Sequence, residues 1–411
     1  MVDKSNKVAL VLGATGISGW ALAKNALSYP SRSTFQRVIG LMHRPRTVEE
    51  TGLPNDPRLE LYSGVDLRGD LNHVVAKLKE KIPRVEQVTH VYYLAYITQQ
   101  TCNGDMLQFR DANVAMTYTA VHACDRLCPN MEFFVLQTGT NAYGVACFDY
   151  LSQTQLQVPL RESNPRVPRP WSDTLFYYAQ ADLIKEANKG KAWKWCEVRP
   201  DQIVGHAPAQ VSVPYVAPMA LYLALYRYIN GPGARVQFPG TVRNYHHTYT
   251  DVRPDTMARA ELYLSLVKSD ESHGEAFNIA DTDTPGPWSA KWPSICRYFG
   301  LEASETVDDE WTNIDGWWYA NQAAYERMCA EYGLQKQVVS PTAWSLMKMG
   351  HTLIDQNREL CLDKIRGLGF TEDHLVGSSY FQVFEDFERM KIIPPRVVWA
   401  SPRCRDVLHQ C

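Results

Sequence analysis

The sequence predicts an α/β protein: a doubly wound parallel sheet with a smaller, mostly helical C-terminal region. Three observations carry this. Short apolar runs alternate with longer amphipathic stretches through the first half of the chain, the pattern of a parallel sheet covered by helices. A glycine-rich turn follows the first apolar run. After Arg199-Pro200 the alternation stops, and Pro/Gly breaks and tryptophans take over.

The expected strands are Val8–Leu12, Val38–Met42, Leu59–Tyr62, His90–Leu94, Phe133–Gln137 and Cys196–Arg199. They are rich in Val, Leu, Tyr and Phe, as strands buried on both faces are. Helical stretches fall between them at Gly19–Ala26, Asp70–Lys81, Val114–Cys124 and Tyr178–Lys189. From about residue 206 the breaks Gly231-Pro232-Gly233 and Pro285-Gly286-Pro287 appear, with Trp288, Trp292, Trp311, Trp317 and Trp318. The expected organisation is a sheet domain over 1–205, a substrate or lid region over 206–394 partly interleaved with it, and a tail over 395–411. The most apolar window, Val213 to Ile229, contains Pro214 and Pro218 and carries Arg227. It is too short and interrupted to cross a bilayer and reads as a helix lining an apolar pocket.

Composition narrows the class. The chain has 411 residues, 45% hydrophobic and 21% charged, which suits a globular protein with a large core. Its formal charge of −3, from 42 basic and 45 acidic side chains, gives no electrostatic reason to expect nucleic acid. Ten cysteines occur without a CxxC pair, so no metal site is expected, and Cys124 and Cys128 read as buried thiols on one helix face. The charged start, Met-Val-Asp-Lys, lacks the apolar stretch of a signal peptide. With reduced thiols this implies a cytoplasmic protein.

Gly13-Ala14-Thr15-Gly16-Ile17-Ser18-Gly19 follows a strand and opens a helix. Glycines there allow a tight turn and close approach of the backbone to a pyrophosphate, and the helix N-terminus adds free N–H groups. Thr15 and Ile17 lie inside the loop. This is the signature of a Rossmann-type dinucleotide site. The end of the second strand chooses the dinucleotide. It reads His43-Arg44-Pro45-Arg46, with no carboxylate for a ribose 2′-hydroxyl. Arg44 can fork onto a 2′-phosphate, with His43 or Arg46 nearby, so NADPH/NADP+ is the expected cofactor. Asp66, followed by Leu67, closes the third strand; its carboxylate can accept from an adenine amino group or cap the next helix.

Further segments follow in order: Thr89-His90-Val91-Tyr92-Tyr93, Leu136-Gln137-Thr138-Gly139, Phe176-Tyr177-Tyr178 with Asp182, and Arg199-Pro200. Then come Phe238-Pro239-Gly240 with Asp251, Ala276-Phe277-Asn278, and Lys391-Ile392-Ile393-Pro394. With the glycine loop and His43-Arg44-Pro45, the chain resembles the progesterone 5β-reductase/iridoid synthase-like family of atypical short-chain dehydrogenases/reductases. The resemblance implies an NADPH-dependent reductase of an activated C=C bond. Hydride goes to the β-carbon of an enone or enal, and a Tyr and a Lys stabilise the enolate oxygen. It places the Tyr at Tyr177 and cofactor contacts at Thr138 and Gly139. The family's Lys-His falls on Asn141-Ala142 here. Nor is a Tyr-x-x-x-Lys present, since Ala181 follows Tyr177 and Asp182 follows Tyr178 at that spacing. Asn141 can still donate a neutral hydrogen bond. Losing the charge costs about 1–2 kcal/mol.

The aromatic second half suggests an apolar small-molecule substrate of terpenoid, steroid or polyketide type. Tyr143, Tyr178, Tyr215, Met219, Tyr222, His246 and Trp344 are candidate pocket residues, each also explained by packing. Three readings stand: an enone or ketone reductase, a redox-neutral isomerase or cyclase suggested by Asn141, and a non-catalytic NADP-sensing regulator. A homodimer stays open.

Overall fold

The computed structural model describes residues 7–97, 105–208 and 215–396. Cys102, Cys404, Cys411, Val213, Pro214 and nearly all of the expected tail lie outside these residues.

Seven strands form one parallel sheet. They are β1 (Lys7–Leu12), β2 (Phe35–Met42), β3 (Leu59–Ser63), β4 (His90–Tyr93), β5 (Phe133–Gln137), β6 (Lys194–Pro200) and β7 (Ala276–Ile279). Their spatial order is β3-β2-β1-β4-β5-β6-β7, so the direction of travel reverses between β1 and β4. Ligands bind at the carboxyl ends of strands beside such a reversal. The register aligns those ends: Leu12 pairs with Tyr93, Tyr93 with Leu136, and Leu136 with Glu197. The glycine turn and the Gln137-Thr138-Gly139 segment therefore leave the sheet along a common edge.

Helices cover both faces. Helix α1 (Ile17–Ala26) packs one face. Helices α2 (Leu71–Lys81), α3 (Met106–Leu127) and α4 (Phe176–Ala187) lie on the other, over Val8, Leu10, Val91 and Phe134. Asp70 caps α2 through the amides of Asn72 and His73. Cys124 and Cys128 are buried thiols on α3 and its C-cap, consistent with their spacing.

The alternation does not end at Arg199-Pro200, as the sequence suggested. A helix, α6 (Pro254–Leu266), returns to pack on α1, and β7 then adds beside β6. Asp255 braces the two helices by accepting from Lys24 Nζ and from Asn25 Nδ2 at 2.6 Å. Strand β7 has four residues, one of them the fully buried Asn278, too short and too mixed for a periodicity reading.

The other second-half helices build a separate apolar cluster. Helix α5 (Val216–Asn230) is buried around nearly its whole circumference. A helix apolar on all sides belongs to a core. Its neighbours are α7 (Trp288–Tyr298), α8 (Gln322–Tyr332), α9 (Pro341–Lys348) and α10 (Ser378–Arg389), with Trp288, Trp292 and Trp318 fully buried between them. Among the described residues no helix is long and apolar enough to cross a membrane.

One buried group carries a stability prediction. Glu261 in α6 is 1% exposed, and its Oε1 has no partner among the described residues. Burial pushes its carboxyl well above the ordinary range. The folded state then keeps a proton that the unfolded chain releases above about pH 4.3, so this group's contribution falls as pH rises. Glu261→Gln is expected to stabilise the fold by about 1–3 kcal/mol at alkaline pH and to change little in acid. Denaturant melts of both proteins at the two extremes check this.

Candidate active site

The three glycines of the first turn have three different structural reasons. Gly13 has φ +93°, and a Cβ there would sit 2.8 Å from the Leu94 carbonyl oxygen. A Cβ on Gly19 would overlap the Gly13 carbonyl oxygen, so this glycine lets α1 approach the strand end. Gly16 is different, because a Cβ there would meet only the Gly13 oxygen, at 3.4 Å. Packing does not demand glycine at 16; space in front of the turn does. Gly13 and Ala14 donate their amides to Leu41, and Trp20 closes the first helical turn onto Gly16. No side chain caps α1, and the amides of Ile17, Ser18 and Gly19 have no acceptor among the described residues. Thr15 is half-buried in the turn. Gln137 ties the end of β5 to this cradle by donating to Ser18 Oγ at 3.0 Å. Uncapped amides facing an opening without a Cβ fit a pyrophosphate.

At the end of β2, His43, Arg44 and Arg46 are exposed. Arg46 stands 3.7 Å from Glu50. Arg44 makes no ion pair or hydrogen bond among the described residues. Asp66 grips Arg68, with Oδ2 at 2.6 Å, and this contact outweighs partial burial to hold its carboxyl down at about 2. Asp66 is not a helix cap, because Asp70 takes that place. Leu67 packs its side chain into the core under the sheet, so only its backbone is left for a cofactor.

Thr138 and Gly139 follow β5 and lead into a 3-10 turn, Thr140–Tyr143. Tyr177, at the start of α4, reaches the same place: a side chain on Gly139 would lie 3.5 Å from its hydroxyl and 3.3 Å from the Pro200 carbonyl. The Tyr177 ring packs edge-on against Phe176 at 4.6 Å. Its hydroxyl has no hydrogen-bond partner among the described residues. Burial, with smaller contributions from Tyr96 and Glu197, pushes its pKa well above the ordinary phenol value, so it is a proton-bearing donor at neutral pH. Asn141 is half-buried, and its Oδ1 accepts from the Ala146 amide at 3.1 Å. Only its NH2 group stays available.

Beneath this turn lies a polar network that the sequence reading missed. Glu197 takes Arg199 in a two-pronged ion pair, 2.9 and 2.8 Å, and also accepts from Thr138 Oγ1 at 2.6 Å. Arg199 Nη1 donates to the Tyr143 hydroxyl at 3.4 Å, which donates in turn to Asn278 Oδ1 at 2.6 Å. The signal was present: two charges at i and i+2 in a buried strand share one face and must find partners.

The expected pocket residues separate. The Tyr143 hydroxyl is consumed in that network. Tyr178 is a brace, not a wall: its hydroxyl accepts from the Val167 amide at 2.9 Å and donates to the Ala142 carbonyl at 2.6 Å. Tyr215 shares a 2.6 Å hydrogen bond with His351 Nε2. Met219, Tyr222 and Trp344 are core residues, because the helices carrying them bury their apolar sides in one another. His246 is exposed at the end of the short helix Val242–His246.

A family model described as a PRISE-like Rossmann-fold domain matches residues 9–394. The short chain dehydrogenase ausT of Aspergillus calidoustus is 96% identical over 100% of both chains. The short chain dehydrogenase sirQ of Leptosphaeria maculans is 38% identical over 73% of this chain and 75% of its own. The (S)-8-oxocitronellyl enol synthase ISY1 of Nepeta cataria is 25% identical over 80% and 78%. Among solved structures, a dTDP-glucose 4,6-dehydratase of Streptomyces venezuelae with NAD bound superimposes with a TM-score of 0.58 at 15% identity, over 93% of this chain and 97% of that one. At that identity the likeness speaks for the fold alone.

Proposed function

The chain belongs to the PRISE-like Rossmann-fold family, and on that premise we propose that it is an NADPH-dependent reductase of an α,β-unsaturated carbonyl in a terpenoid, steroid or polyketide-type metabolite. It is a short-chain dehydrogenase/reductase-like enzyme. The observation that carries the finer reading is the unpartnered Tyr177 hydroxyl beside Gly139, on the strand-end edge that also holds the glycine cradle.

The cradle binds the pyrophosphate through the amides of Ile17, Ser18 and Gly19. Arg44 takes the 2′-phosphate. Held there, NADPH would supply the hydride for the substrate's β-carbon. Tyr177 donates its hydrogen bond to the carbonyl oxygen as negative charge grows there. Preorganised donors in a water-poor site are worth several kcal/mol to such an oxygen. The Asn141 NH2 group offers a second, neutral donor. A proton taken from solvent at the α-carbon completes a product two hydrogens heavier. The name of the Nepeta relative, an enol synthase, speaks for the same enol-forming chemistry.

The test is NADPH consumption at 340 nm with a panel of enals and enones, with mass analysis of products. A two-hydrogen gain supports the reading. A redox-neutral rearrangement is the second reading, favoured by the absence of lysine at 141, 181 and 182; it predicts products of unchanged mass. Arg44 makes a separate prediction. Arg44→Ala should weaken NADPH binding about 10- to 100-fold, as for a lost hydrogen-bonded charge contact, while NADH binding hardly moves. Fluorescence titrations with both dinucleotides check it, and equal losses would remove the 2′-phosphate role.

A further inference from the structure

Asp201 follows Pro200, whose carbonyl lies beside Gly139, as the Tyr177 hydroxyl does. Its Oδ1 accepts from Thr140 Oγ1 and from Arg358 Nε, each at 3.1 Å, and its Oδ2 accepts from the Thr250 amide at 3.3 Å. Both side chains of the Asp201–Arg358 pair are 4% exposed. The Arg358 guanidinium lies over the Tyr249 ring, with Cζ 4.4 Å from its centre. Only Nε is used. Nη1 and Nη2 donate to nothing among the described residues. A guanidinium carries its donors in a fixed fork, so these two NH2 groups together offer a paired site to one oxygen acceptor.

The surroundings say what would satisfy them. The other buried cation nearby, Lys291, is matched by Asp251 at 2.7 Å. Asp201 already matches Arg358. Two positive and two negative charges balance, and Tyr215, Tyr249 and His351 around them add only neutral groups. Burial holds His351 down at about 3, so it is an uncharged imidazole. A second anion would upset this balance, whereas a neutral oxygen acceptor would not.

We propose that Arg358 binds a second oxygen of the substrate, a ketone or ester carbonyl, and so sets the reacting C=C bond against Tyr177. This rests on the reductase reading for the position of the reacting carbon. It makes Arg358 a specificity-determining residue 157 positions away from its partner Asp201 in sequence.

The test compares two bicyclic probes on full-length, NADP+-loaded protein by calorimetry: the Wieland–Miescher ketone, an enone with a distant second ketone, and the same bicyclic enone lacking it. The wild type should bind the diketone at least ~10-fold tighter, as for one hydrogen bond to a charged group. Arg358→Lys keeps a cation for Asp201 but breaks the fork, and should bring the diketone down to the level of the monoketone. Equal wild-type affinities, or no binding of either, overturn the proposal without any variant. A preference that survives Arg358→Lys in a folded protein also overturns it. Turnover is read separately: a binding preference with no NADPH consumption would sink the reductase reading and leave the role of Arg358 standing.

Discussion

Tyr177→Phe is expected to lower turnover at least ~10²-fold, the loss seen when one oxyanion donor is removed. Stability and NADPH affinity should hardly change. The Tyr177 hydroxyl has no partner among the described residues, so deleting it orphans nothing in the free protein. Its neighbour gives the contrast. Tyr178→Phe strips a partner from both the Val167 amide and the Ala142 carbonyl, and should cost about 1–3 kcal/mol of stability. Activity then falls through the fold rather than through the chemistry. The pH profile separates donor from base. Because burial raises the Tyr177 pKa, the donor is lost only as pH rises past about 10, the unperturbed phenol value. Turnover should be flat from about pH 6 to 9 on that basis. A Tyr177→Phe enzyme with near-normal turnover would end this assignment.

The second large effect separates two glycines that look alike in sequence. Gly19→Ala places a methyl group onto the Gly13 carbonyl oxygen, which is backbone and cannot step aside. The helix must back away from the strand end, at a cost typical of overpacking, about 1–3 kcal/mol or more. Gly16→Val meets no such wall within the protein, since the nearest atom is 3.4 Å from the Cβ position. It should melt near the wild-type temperature. Its branched side chain stands where a pyrophosphate must approach, so NADPH affinity should fall ~10²-fold or more, the weight of several lost charge-assisted contacts. Melting curves and NADPH titrations on the two variants should therefore show opposite patterns. A Gly16→Val protein that binds NADPH normally would move the cofactor elsewhere.

Local rules were legible in the sequence. Strand β5 occupies the predicted residues, and the glycine turn forms where a positive φ and a missing Cβ were demanded. Those demands act within a few residues and leave their mark on residue type. Strand β7 was not legible, because Asn278 is there to hold Tyr143 and not to fit an apolar pattern. Met219, Tyr222 and Trp344 stayed undecided between pocket and core for a related reason. An apolar side chain serves a core or a pocket wall equally well, and only packing decides. Arg358 could not be found at all from spacing. It meets Asp201 and Tyr249 only after the chain has crossed the sheet and returned.

The most direct measurement follows the hydrogen itself. NADPH deuterated at C4, prepared separately on each face, is supplied with an enone that the enzyme turns over, and the product is read by mass and NMR. Hydride transfer to the β-carbon predicts one deuterium there from one of the two cofactors and none from the other. Turnover to a product free of deuterium with both would contradict the account and mark this site as one for redox-neutral chemistry.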